Sequence, residues 1–269
     1  MAIHHPIIKT AKFVKGSNQS IQMVANGNRK IVVQTEDGLN QVASYHLAQD
    51  SAKATLVLVH GIRASKEDWN SLIPELQKRG FNILAIDLRA HGESEGTYCT
   101  FGAKEKGDIK HFVDSLDQEL PIGIWGRSLG GAVALQTLAI DQRIDFGIIE
   151  STFCSFEQIT KDYFERYAGF RLDGLMNFAI WRAGKMANFD PEEAMPLKSS
   201  AQISQAVFMA HGSEDQFILP EYGKSNFDAL KSEVKQLEIV EGGGHANLWS
   251  VGGENYFQSV WSFIDTQLE

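Results

Sequence analysis

Short apolar runs recur along the chain, and most are followed by a stretch with helical periodicity. "TLVLVH" (55–60), "FNILAID" (81–87) and "PIGIWG" (121–126) precede helical patterns near 66–79, 101–116 and 128–139. "QAVFMAH" (205–211) precedes a pattern near 220–230, and "VKQLEIV" (234–240) precedes the last one. "DFGIIE" (145–150) is followed instead by a long insertion, 151–204. Upstream, "KIVVQTEDGLNQVASYHLA" reads as two strands around a Glu-Asp-Gly turn, a hairpin signal. Near the end, Phe257, Val260, Trp261 and Ile264 fall at i, i+3, i+4 and i+7, one face of an amphipathic helix over 254–268. That spacing argues that "ENYFQS" is native helix, although it looks like part of a protease-tag site. Strands alternating with helices predict an α/β fold: a mostly parallel central sheet, helices on both faces, and a small helical cap from the insertion. We expect one domain over 1–269, with 151–204 inserted within it as the cap.

Composition changes this picture little. The 269 residues are enough to bury a sizeable core, and 43% are apolar. The net charge of −9 repels nucleic acid and anionic membranes, so neither is expected as a partner. Anionic substrates stay open, because the field inside a cleft can oppose the net charge. Two cysteines, Cys99 and Cys154, do not make a disulfide scaffold and suit a reducing compartment. The N-terminal "MAIHHPIIKTAKFVKG" lacks the pattern of a secretory signal, and no apolar run is long enough for a membrane helix. A cytoplasmic location is expected.

"GIWGRSLGGAVALQTLA" (123–139) starts as a strand and ends as a helix, with Ser128 between Gly126 and Gly130. In open α/β sheets ligands bind at the carboxyl ends of strands, where this serine falls. Gly-x-Ser-x-Gly there is a nucleophile elbow: the turn is tight, and side chains on either side would collide. The helix that follows points its N-terminus at the site and favours developing negative charge.

A serine hydroxyl needs a base. His60 and His211 both close strands, so position alone eliminates neither, although hydrogen bonding that fixes loop ends is the preferred role for both. His245, in the glycine-rich "EGGGHANLW" after the last strand, fits the order serine, acid, histidine that goes with a nucleophile elbow in an α/β sheet. Asp215 in "HGSEDQFILP" is the acid expected to orient it, with Glu214 as a neighbouring rival better read as a solvated loop carboxylate. Oxyanion donors are expected from the backbone N–H groups of Leu129, directly after the serine, and Ile62, in "HGIRASKEDW".

Together "HGIRASKEDW", "DLRAHGESEG", "GRSLGG", "HGSEDQFILP" and "GGGH" resemble the α/β-hydrolase fold superfamily over roughly residues 30 to 268. "GRSLGG" with "IESTFCS" is most similar to bacterial serine hydrolases of the esterase, lysophospholipase and serine-aminopeptidase-like group. The resemblance implies an acyl-serine intermediate hydrolysed by water, a small-molecule acyl substrate, and no metal or organic cofactor. It leaves ester, thioester and amide open, and acyltransferase or cofactor-free haloperoxidase chemistry as well. A non-catalytic, ligand-binding member of the fold is the alternative from another class.

Two expectations concern the surroundings. Arg127, inside the elbow, is expected to form a structural ion pair with Glu150 at the end of the adjacent strand. The insertion is rich in aromatic residues, and some of these should face the cleft and line an apolar acyl pocket suited to short or medium chains. Lys161, Arg166 and Arg171 should face water or the pocket rim.

Overall fold

Val, Ile, Leu and Phe fill the apolar runs, and strands buried on both faces read that way. In a computed structural model, described here for residues 19–23 and 29–269, these runs become the middle of a nine-stranded sheet. Its strands are β1 (Gln19–Met23), β2 (Arg29–Gln34), β3 (Asn40–His46), β4 (Ala54–Val59) and β5 (Phe81–Ile86). They continue with β6 (Ile122–Arg127), β7 (Phe146–Glu150), β8 (Ala206–Gly212) and β9 (Lys235–Val240). The order is β1-β2-β3-β5-β4-β6-β7-β8-β9. The first three strands are antiparallel, β3 joins β5 antiparallel, and every later pairing is parallel. The expected hairpin is β2–β3, and β1 extends it on the outer side of β2. His4 and His5 lie outside the described residues.

Strand alternation sorts the core into two layers. Leu56 and Leu58 of β4 pack with α1 (Ile73–Lys78) and α8 (Leu248–Leu268) through Ile73, Leu76, Val260 and Ile264. Val57 and Val59 pack on the other face with α2 (Glu105–Val113) and α3 (Leu129–Ile140). The helical pattern near 66–79 resolves into a 3-10 turn at Lys66–Trp69 and the short α1. The closing helix begins earlier than expected, at Leu248, and bends where Gly253 takes φ 52°.

The insertion carries α4 (Phe156–Ala168), α5 (Asp173–Ala187) and the short α6 (Pro196–Ser200). Ser155 caps α4 by accepting a hydrogen bond from the Gln158 N–H, and Gly169, at φ 76°, ends it. Phe156, Ile180 and Ala194 fasten the cap to Ala103, and Phe101 stacks on Phe156 at 4.3 Å. The outer face of α5 leaves Leu175, Phe178, Trp181 and Met186 exposed. A further helix, α7 (Pro220–Ala229), follows β8 and covers the α3 side of the sheet through Tyr222. Among the described residues, no helix is long and apolar enough to cross a membrane.

Candidate active site

The sequence Gly126-Arg127-Ser128-Leu129-Gly130 turns from β6 into α3 with Ser128 at φ 56°, ψ −118°. A serine rarely adopts that backbone, and the surroundings hold it there. Its N–H donates to the Glu150 carbonyl at 2.8 Å, and its carbonyl accepts from the Ala132 N–H and the Thr152 hydroxyl, each at 3.1 Å. The flanking glycines are required by space: a Cβ on Gly126 would lie 2.2 Å from the Gly130 carbonyl oxygen, and one on Gly130 would lie 2.1 Å from that of Val59. The turn therefore aims the serine out of the sheet edge at the start of a helix.

The loop after β9 brings His245 to that serine. His245 Nε2 lies 3.0 Å from Ser128 Oγ, and His245 Nδ1 lies 2.8 Å from Asp215 Oδ2. A carboxylate only accepts, so Nδ1 carries the proton and Nε2 is free to accept from the serine hydroxyl. Asp215, just past β8, is buried, while Glu214 is exposed to solvent. The other Asp215 oxygen, Oδ1, accepts from the N–H groups of Phe217 and Ile218, both at 2.9 Å. Burial pushes the Asp215 carboxyl up, but the His211 and His245 rings and the Ile218 N–H outweigh it and hold the group well below the usual carboxylate range.

The three remaining site histidines fix loops. His60 Nδ1 donates to the Gly61 carbonyl at 2.6 Å, and its Nε2 accepts from the Leu88 N–H at 3.0 Å. Burial lowers its pKa and keeps it neutral, as that pairing demands. His91 Nδ1 donates to the Arg89 carbonyl at 2.9 Å, and its Nε2 accepts from the Arg63 N–H at 3.2 Å, pinning the loop after β4. His211 goes further than its sequence position indicates. Its Nε2 donates to the Ile218 carbonyl at 2.8 Å and sits 3.4 Å from Asp215 Oδ2, so it braces the acid from behind. The signal available in the sequence is its place four residues before Asp215, at the end of the same strand.

The expected Arg127–Glu150 ion pair is not formed. The two residues are register partners on β6 and β7, but their charged groups part. Glu150 Oε1 accepts from Trp125 Nε1 and Trp249 Nε1, both at 2.9 Å, and from the Tyr256 hydroxyl at 2.6 Å. These neutral donors fill the space that the guanidinium would need. Arg127 turns outward over the rings of Trp249 and Trp69, at 4.7 and 5.3 Å, and comes within 4.0 Å of Asp68. Three tryptophans scattered over 180 positions hide this arrangement in a linear reading.

Above Ser128 lies a cavity of about 840 Å³. Ser128, Leu129, Ile62 and His245 line it, with Phe153, Tyr163 and Tyr167 from the insertion. Leu129 is the first residue of α3, so its N–H has no carbonyl one turn earlier to bond. The insertion's aromatic residues divide: Phe156 and Phe189 pack internally, whereas Phe170, Phe178 and Trp181 face out. Lys161 is buried beside Glu157 rather than solvated. Arg166 donates to the carbonyls of Gln216 and Phe217, tying α4 to the loop that bears Asp215. Arg171 pairs on the surface with Asp173 and Glu165.

A mixed sheet of this order, with a strained serine between a strand and a helix, defines the α/β-hydrolase class. The model of the α/β hydrolase fold family matches residues 54–179, from β4 into the cap. The fold is the α/β-hydrolase fold, and the family model's match covers a little under half of the chain. It is 26% identical over 232 residues to the uncharacterized protein YqkD of Bacillus subtilis (strain 168), covering 83% of this chain and 75% of that one. It is 25% identical over 271 residues to caffeoylshikimate esterase of Arabidopsis thaliana, covering 85% and 81%. Among solved structures, the Pyrococcus furiosus esterase Pf2001 superposes with a TM-score of 0.70 at 21% identity, covering 97% of this chain and all of that one.

Proposed function

We propose that the protein is a serine esterase in which Ser128, His245 and Asp215 form a catalytic triad. The observation that carries this reading is the unbroken hydrogen-bonded path from Asp215 through His245 to Ser128 Oγ, opening into a cavity. His245 takes the hydroxyl proton as Ser128 Oγ attacks the ester carbonyl, and the backbone N–H groups of Leu129 and Ile62 receive the oxyanion. The imidazolium, stabilised by Asp215, then protonates the departing alcohol. Water, activated by His245 in turn, attacks the acyl-serine carbonyl and releases the acid. The 151–204 segment acts as a cap within one hydrolase domain, and Phe153, Tyr163 and Tyr167 take the apolar part of the substrate. Each methylene added to the acyl chain should gain up to about 0.8 kcal/mol until this pocket is full.

The relatives named as esterases support the ester reading. Labelling with a fluorophosphonate probe, followed by a p-nitrophenyl ester series from acetate to palmitate, tests it. Labelling at Ser128 and a maximum on short or medium chains are expected. Absence of labelling moves the protein to the ligand-binding class, and labelling without hydrolysis of any ester moves it to thioesters or amides. Ser128→Ala should cost on the order of 10⁶ in kcat, or about 8 kcal/mol of barrier, with the fold unchanged by circular dichroism.

A further inference from the structure

The wall of the cavity is not uniformly apolar. Arg63 and Arg127 both line it, against a single carboxylate among the described lining residues, Asp68. Arg127 immediately precedes Ser128, and its guanidinium carbon lies over the Trp249 and Trp69 rings, 4.7 and 5.3 Å from their centres. A guanidinium held over aromatic rings keeps its charge, and its five N–H donors outnumber what such contacts can occupy, so it can still take an anionic acceptor. Asp68 does not fill that role: it is half-exposed and only 4.0 Å away, at the limit of an ion pair, and no hydrogen bond joins the two.

Arg63 is exposed, and among the described residues its one hydrogen bond is made by its backbone N–H, to His91. Its backbone sits at φ 59°, in the left-handed region that residues with a Cβ avoid. His91 is itself anchored to the Arg89 carbonyl, so the structure holds this unfavourable conformation in place at the cavity wall. The chain as a whole carries −9, whereas the described lining of the cavity sets two cations against one anion at the mouth of the serine site. A low-dielectric cleft concentrates such a field.

We propose that Arg63 and Arg127 bind a carboxylate or phosphate carried by the substrate, so that the ester cleaved at Ser128 is anionic. The apolar wall from the cap takes the remainder of the molecule. This inference rests on the reading of Ser128 as an ester-cleaving nucleophile.

Two matched ester pairs test it and locate the charge. Monomethyl adipate against methyl hexanoate places a carboxylate on the acyl side. 4-Butyryloxybenzoate against p-tolyl butyrate places it on the alcohol side. In one pair, kcat/KM should favour the anion about tenfold at low salt, the size of one charged hydrogen bond. The ratio should shrink as sodium chloride is raised. Arg63→Gln and Arg127→Gln should each lower it severalfold, and Arg63, being exposed, gives the variant expected to fold unaltered. Equal rates within both pairs, or a ratio unmoved by Arg63→Gln, overturns the proposal.

Failure of the esterase reading looks different: no ester of either kind is cleaved. Calorimetric titration with phenylphosphate then decides. Binding by the wild type that Arg63→Gln weakens supports the anion site without turnover, and no binding by the wild type overturns it.

Discussion

Asp215 and Glu150 stand at the carboxyl ends of neighbouring parallel strands, β8 and β7, and both are buried without an arginine or lysine partner among the described residues. They are held by different chemistry. Each Asp215 oxygen has defined partners, two N–H groups on Oδ1 and two imidazoles facing Oδ2. One of those imidazoles is on a loop and reaches Ser128. Glu150 directs three neutral donors onto Oε1 alone, and Oε2 is buried without a hydrogen-bond partner. Its donors are rings locked into the packing of β6 and α8, and burial together with Glu150 pushes the Tyr256 hydroxyl far up, so that it stays a donor. A buried acid among immovable donors cements elements together. A buried acid whose partner can accept and pass on a proton can serve chemistry. The difference lies in the partner, not in the depth of burial.

Substitutions can separate the two roles. The largest effect should come from Asp215→Asn, which leaves the shape but lets His245 carry its proton on the wrong nitrogen. A loss of roughly 10⁴ in kcat is expected, with KM little changed. The same change should also flatten the acid side of the stability profile. Because the folded pKa of Asp215 is depressed, its contribution is complete above about 3.9 and is lost as pH falls toward the lower folded value. Thermal melts of both proteins between pH 3 and 7 would check this, and a profile unchanged by the substitution would count against the ionised, braced aspartate.

Glu150→Leu should do the reverse, stranding Trp125, Trp249 and Tyr256 as unpaired buried donors. Destabilisation of about 3–5 kcal/mol is expected from denaturant melts, with kcat of the folded fraction within a fewfold of wild type. If kcat instead falls as it does in Asp215→Asn, the contrast between the two acids is broken. Tyr256→Phe should repeat that pattern at smaller scale, about 1.5–3 kcal/mol for one hydrogen bond to a carboxyl group.

The smallest effect concerns His60, whose folded pKa is lowered by burial. Its neutral form contributes stability that is complete above about pH 6.5 and is lost as pH falls through the folded value. His60→Gln should make the decline in Tm between pH 7 and 5 shallower. His46, lowered by burial as well, should retain part of the slope. A slope that is unaltered in His60→Gln would mean that His60 does not contribute to it.

The strands were legible because their burial is written as continuous apolar runs: β4, β5 and β8 are buried at every position. Ser128 was legible because its conformation demands glycine on both sides. His245 and Asp215 are preferred over His211 and Glu214 on chain order together with their loops at strand ends, and the structure brings both to Ser128 in hydrogen-bonded sequence. The Arg127–Glu150 pairing was misread for a definable reason. Register placed the two residues side by side, and opposite charges at adjacent positions invite pairing. The competing donors come from Trp125, Trp249 and Tyr256, and the last two arrive from the other end of the chain. Likewise the cap's aromatic content announced that some rings must stay outside its interior, but not which ones; Phe153 is buried at the cavity and Phe178 faces solvent.

The sequence by itself determined the local and periodic features: strand–helix alternation, the glycine-flanked serine turn, and the order of serine, acid and histidine. These follow from sterics and burial within a few residues, so they are carried by neighbouring letters. Only the tertiary structure decided which side chains complete a buried polar group. That choice depends on donors converging from distant segments, as with His211 behind Asp215, Arg166 on the Phe217 carbonyl, and the two indoles on Glu150. Burial makes an unpartnered polar atom costly, and it does not specify from which part of the chain the partner must come.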